Sequence, residues 1–133
     1  MMVTGVDVPE EAGTMKYVMM IIHGDDEHSA ADEAGAPSMD SWFETARERG
    51  AYDLGVRLDE RETARMVRVR GGRPLVTDGP FAETREWIAG FALLEASSIE
   101  DAIDLAQRNP AAHWGRVEVR PVHSFGGPIL GEE

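Results

Sequence analysis

The chain predicts an α+β fold in which two helices cover one face of a small sheet, and three observations carry that reading. Two runs, Tyr17 to Ile22 and Trp87 to Leu94, contain no charged residue and present apolar side chains on both sides. Two further segments pair a serine cap with a helical apolar stripe. Between them, Gly71-Gly72 separates two short strand-like stretches, which signals a hairpin.

Lys16 to Ile22 comes first, and a strand that is apolar on both sides belongs in the middle of a sheet. From His23 to Pro37 the residues are polar or small enough to form a loop. Ser38 then caps a helix in which Met39, Trp42, Phe43 and Ala46 fall at i, i+3, i+4 and i+7, giving one buried stripe that Gly50 ends. Tyr52 to Leu58 reads as a second strand, followed by a charged turn at Asp59 to Glu62. Arg65 to Arg70 alternates, with Val67 and Val69 on one side and Met66, Arg68 and Arg70 on the other, so one face is expected to be wet. After the Gly-Gly reversal the hairpin returns through Arg73 to Thr77. Glu86 to Glu95 is the second strand apolar on both faces and should also be central. Ser97 or Ser98 opens a second helix, with Glu100 or Asp101 completing a capping box and Ile99, Ala102, Ile103 and Ala106 forming its stripe. Asn109-Pro110 stops that helix, and Val117 to Val122 is the last strand.

This order, β-α-β, an inserted hairpin, then β-α-β, is that of a ferredoxin-like split βαβ sheet. Two helices can cover only one of its faces. The apolar residues on the other face of the central strands therefore predict that two subunits pack together as a two-fold homodimer.

A length of 133 residues suits one domain. Residues 15–122 are expected to fold, with 1–14 as a disordered leader and 123–133 as a Gly/Pro-containing tail. The net charge of −12 repels phosphate backbones, so nucleic acid is excluded as a favoured partner. Residues 1–37 hold eight acids and one base, a charge of −7, and the remaining 96 carry −5. With no cysteine, disulfides and thiolate metal sites are excluded, and a reducing cytoplasm is the compatible setting. No run approaches the ~18 apolar residues of a membrane span, and Met1 to Thr14 lacks the basic start and apolar centre of a signal peptide.

Chemistry concentrates in Thr77-Asp78-Gly79-Pro80-Phe81-Ala82-Glu83-Thr84-Arg85-Glu86. Asp-Gly-Pro forces a sharp reversal and places an acid on it. Asp78 is the leading candidate for binding a polar ligand or accepting a proton, and the competing reading is an Asx-turn. Glu83 and Arg85 are candidates for ligand binding, Arg85 through a bidentate clamp, against a simple cross-strand pair. His23 ends a central strand, where ligand sites open, and its imidazole titrates near neutrality, against the reading of an exposed loop histidine. Trp87 lines either core or cleft. His113 and Trp114 flank a pocket or pack at an edge. His23, Asp25, Asp26, Glu27 and His28 offer metal ligands within six residues, but without a recognised spacing they read as a solvated acidic loop, so no metal is assigned. Arg65, Arg68 and Arg70 read as a solvated hairpin face. Neither a nucleophilic triad nor a phosphate or dinucleotide loop is present, and no cofactor is implied.

Three stretches together resemble the YCII-related family, in the subgroup that takes its name from an Asp-Gly-Pro-Phe signature: Met15-Lys16-Tyr17-Val18-Met19, Val76 through Glu86, and Val117-Glu118-Val119-Arg120-Pro121-Val122. The resemblance runs from about Met15 to Val122 and implies a dimeric α/β barrel of ferredoxin-like subunits. Some YCII-like proteins carry a His on the first helix and an Asp, viewed as an acid/base pair. Here the helix from Ser38 to Arg49 has no histidine, and Asn109-Pro110 stands where those relatives have Asp-Pro. Relatives of this subgroup are often encoded beside extracytoplasmic-function sigma factors. Two functional readings follow. One is a dimer that binds a small organic molecule, with weak acid/base catalysis by Asp78 and His23; the other is a non-enzymatic accessory or sensor protein acting with such a sigma factor through the hairpin and the tail around Phe125 and Ile129-Leu130.

Overall fold

Strand β1, Met15–His23, forms the centre of an antiparallel sheet because its two ladder edges are both taken, by β5, Trp87–Ala96, and by β6, Arg116–Pro121. Strand β2, Tyr52–Arg57, pairs with the far edge of β5, so the spatial order is β2-β5-β1-β6. The computed structural model describes residues 14–79 and 85–123. Most of the expected leader, Pro80 to Thr84 and the tail beyond His123 lie outside them. Both strands read as apolar on two sides are central, and Pro121, which has no N–H to donate, sits on an edge strand. With helices between the first and second and between the third and fourth strands of this sheet, the fold is α+β with ferredoxin-like topology.

Among the described residues four α-helices accompany the sheet, besides a 3-10 turn at Arg61–Thr63: α1, Ala30–Ala34; α2, Met39–Glu48; α3, Ile99–Gln107; and α4, Ala111–Trp114. Ser38 and Ser98 cap α2 and α3 through their side chains, as their positions predict. Asp101 reaches back to Ser97, which closes the second cap. Gly50 takes a φ of 65° and turns the chain out of α2. Helix α1 falls in the segment expected to be loop. It is a single turn held by a capping box, in which Ser29 accepts from the Asp32 amide and Asp32 accepts from the Ser29 amide. Helix α4 was likewise not expected after Asn109-Pro110. Proline ends α3 but suits the start of a new helix, and the Asn109 side chain accepts from the Ala111 amide.

The odd residues of β1, Tyr17 and Met19, face the helices beside Leu94 and Ala92 of β5 and are almost fully buried. Trp42, Ala46, Leu105 and Ala106 close over them. Trp42 donates its indole N–H to the Leu105 carbonyl at 2.9 Å, tying α2 to α3 inside this layer. Two details of the expected stripes are corrected. Met39 is 40% exposed because it lies on the first turn of α2, and Ile103 is 46% exposed while Leu105 takes the buried place. The helix axis sets which side faces the sheet, and here Ala102, Leu105 and Ala106 define it.

The hairpin departs further from expectation. Strands β3, Arg65–Arg70, and β4, Arg73–Asp78, pair only with each other, turned by Gly71 and Gly72 with φ of 59° and 76°. All of their residues are exposed, so both faces are wet and not one. The two-stranded ribbon stands outside the four-stranded sheet, and no second layer lies against it within the described residues. Among those residues no helix is long and apolar enough to cross a membrane.

Where β2 and β5 meet, Gly90 is a requirement of packing. A Cβ there would stand 2.7 Å from the Val56 carbonyl oxygen and 3.4 Å from the Arg57 Cα, both backbone atoms that cannot turn aside. We expect Gly90→Ala to destabilise the fold by about 1 to 3 kcal/mol, the range for overpacking a close contact. A lowered urea midpoint at unchanged slope checks it.

Candidate functional site

On the helix side of the sheet, at the end where β1 runs out, lies a cavity of about 410 Å³. Its floor is the helix-facing edge of β1 and β5: Met19, Ile21 and His23 beside Gly90 and Ala92. One wall is α2 with Met39, Trp42 and Phe43, and a second is β2. The register shift between Tyr52 and Leu54 puts Tyr52 and Gly55 on the same side of β2. A Cβ at Gly55 would fall 2.8 Å from the Tyr52 hydroxyl, so a larger residue there would push the tyrosine ring aside. The third wall is the turn between α3 and α4, with Asn109, Pro110, Ala111 and Trp114.

Aromatic edges hold the walls. Phe43 meets Trp42 and Tyr52 edge-on, each with centroids 5.3 Å apart, and the Arg47 guanidinium lies 5.1 Å from the centre of Phe43. His23 is gripped between Trp87, at 5.7 Å and nearly perpendicular, and Trp114, at 5.1 Å. Arg61 stacks 4.3 Å from the Trp87 ring, so the indole is fixed from both sides. Among the described residues neither ring nitrogen of His23 has a hydrogen-bond partner. Asn109 is 0% exposed, and its Nδ2 has no partner either. A buried amide donor left open in a cavity wall is costly, by about 1 to 3 kcal/mol, unless something in the cavity accepts from it.

The other expected site residues lie elsewhere. Asp78 ends β4 with its side chain 91% exposed, opposite Arg65, whose Nε is 3.3 Å from its carboxylate. That is an ion pair across the open end of the hairpin, so the carboxylate is engaged by an arginine side chain and lies outside the cavity lining. Arg85 pairs with Asp25 at 3.0 Å in solvent and is not in the lining, and Glu83 lies outside the described residues. Trp87 acts on the site through His23, as its support. Trp114, set between edge packing and a pocket wall by its sequence position, is a pocket wall.

The acidic loop after β1 is held by ion pairs. Arg116 binds Asp26 and Glu86, with the Glu86 hydrogen bond the larger cause and Asp26 adding to it, and both hold the guanidinium further above its already high range. This clasp joins the loop to the starts of β5 and β6, beside the cavity. The Asn109 amide, the cavity's buried polar group, was visible in the sequence only as a helix stop. The signal that marks it is Asn-Pro followed by Ala-Ala, the pattern of an asparagine capping a fresh helix turn.

The model of the YCII-related domain matches residues 15–126. The chain belongs to the YCII-related family. A relative of this YCII-related chain, the uncharacterized protein R00369 of Rhizobium meliloti (strain 1021), is 38% identical over 77 residues. The match spans 56% of this chain and 62% of that relative.

One titration in the loop after β1 has a definite sign. The Glu33 carboxylate at 2.5 Å, and after it the Asp26 carbonyl, hold the His28 imidazole above its ordinary value of 6.5. The folded value exceeds the unfolded one, so the stabilisation is fully present below pH 6.5 and is lost as pH rises through the raised value. We expect the melting-temperature difference between the native chain and His28→Gln to be greatest at about pH 6 and to close at alkaline pH. Thermal scans across that range measure it.

Proposed function

We propose that the helix-side cavity of this YCII-related chain binds a small organic molecule. The observation that carries this is the Asn109 amide, fully buried with Nδ2 unpartnered, in the wall of an aromatic cavity of about 410 Å³. Cavities of this size with few convergent polar groups suit small ligands. His23 is the lining imidazole, and its clamped ring is the group to move a proton on a bound molecule. Asp78 has no part in this proposal, because it faces solvent on the hairpin. Thermal-shift and ligand-detected NMR screens of a fragment library test it. Hits on the native chain should be lost in Met39→Trp, which plugs the mouth from an exposed position, and kept in Asp78→Asn; hits kept in Met39→Trp would place binding elsewhere.

We also propose that two copies pair through the open face of the sheet. On that face Val18, Met20 and Ile22 of β1 alternate away from the helices, beside Phe91 and Leu93 of β5 and Val56 of β2. Phe91 and Val56 are 37% and 45% exposed in the single chain, so the face is an apolar stripe, bordered by the Lys16 pairs with Asp53 and Glu95 and by Arg120 with Glu118. Such a stripe with a charged rim matches the anatomy of a permanent interface. Light scattering should give the mass of two 14.6 kDa chains, and Met20→Asp should give one.

The accessory reading, with an extracytoplasmic-function sigma factor as partner, draws support from the hairpin alone. Val67, Val69, Leu75 and Val76 are each more than half exposed among arginines. A complex with such a factor that Val67→Lys abolishes is the outcome that would favour it.

A further inference from the structure

We infer that the molecule taken by this cavity is an apolar, ring-bearing carboxylate, an inference that rests on the small-molecule reading above. The chain holds 25 acids and 13 bases, yet among the described residues no Asp or Glu lines the cavity. Arg57 does. It pairs in register with Gly90, whose other neighbour is Ile21, so its side chain leaves β2 on the helix side. Among the described residues the acid surplus occupies half of the twelve guanidiniums: Arg49, Arg65, Arg85, Arg108, Arg116 and Arg120 each hold a carboxylate. Arg57 holds none among the described residues. What sets Arg57 apart from the other arginines without a carboxylate among the described residues is its place in the lining of an aromatic cavity, where an acid arriving from solution would match it, since the guanidinium fork takes a carboxylate bidentately.

Asn109 adds the second requirement, and its orientation is set by chemistry. Its Oδ1 accepts from the Ala111 N–H at 2.9 Å, and the flipped amide would set two donors against each other. Nδ2 is therefore the free atom, and it can only donate. An arginine and an amide donor favour oxygen acceptors, and no carboxylate among the described lining residues would neutralise a buried cation. The rings of Trp42, Phe43 and Trp114 supply flat apolar walls for the rest of the molecule.

Calorimetry on the full chain with three probes of one shape tests this: 2-naphthoate, the neutral 2-acetylnaphthalene and the cationic 2-naphthylmethylammonium. We expect 2-naphthoate to bind at least about tenfold more tightly than the ammonium, and Arg57→Gln to remove about tenfold of naphthoate affinity while leaving the ketone unchanged. Asn109→Asp keeps an acceptor for the Ala111 N–H and removes the donor, so it should weaken naphthoate further than Arg57→Gln does. Should that variant fail to fold, Arg57→Gln decides alone. Equal binding of all three probes, or naphthoate affinity unmoved by Arg57→Gln, overturns the carboxylate assignment and leaves a cavity that binds small molecules. Binding by none of the three overturns both.

Discussion

The indole N–H of Trp42, buried and donated to the Leu105 carbonyl, is the contact on which the helix layer depends. It lies at the last full turn of α3, where carbonyls otherwise run out of partners. The Leu105 carbonyl also accepts from the Arg108 N–H at 3.1 Å, so losing the indole donor would forfeit a bond worth a net of about 0.5 to 1.5 kcal/mol, whereas the exposed Arg49 and Asp104 pair linking the same two helices is worth about 0 to 1. The buried bond thus outweighs the visible ion pair. Because α3 is pinned at Leu105, its end at Asn109 is placed too, and with it the turn into α4. The cavity exists because that turn and α2 are held apart over β1 and β5 by one indole.

Much of the fold was legible because its signals are local or absolute. Strands without a polar side have only central places to go, and Tyr17 to Ile22 and Trp87 to Leu94 both took them. Serine caps at Ser38 and Ser98 are backbone chemistry and do not wait for tertiary context. Short helices were illegible for the opposite reason. Ala30–Ala34 and Ala111–Trp114 are each about one turn, too short to show a periodicity, and they exist by their caps at Ser29 and Asn109. The hairpin misled because alternation tells which residues share a side, while whether that side is covered depends on where the ribbon is carried.

The site was legible in part. His23 could be placed at a strand end, and strand ends line cavities. Asp78 drew attention as an acid on a rigid turn, but a turn shows where a side chain starts and not what it meets, and here it meets Arg65. Asn109 and Trp114, from the α3–α4 turn and α4, meet Arg57 of β2, about fifty residues earlier in the chain. No spacing rule links them, since their proximity is made by the pairing of β2 with β5 and by the turn after α3.

The central place of β1 bears on how the chain acquires its shape. Met19 pairs with Ala92 on one side and Val119 on the other, so neither edge of this apolar strand finds its partner until most of the chain has been synthesised. On a ribosome, Tyr17 to Ile22 would emerge early and wait, a bare ladder of amides and carbonyls on an oily ribbon. Helix α2 can shelter one side of it in the interval. The many acids near this strand in sequence, Asp25, Asp26, Glu27, Asp32 and Glu33 among them, are the kind of residue that discourages nascent copies from joining edge to edge.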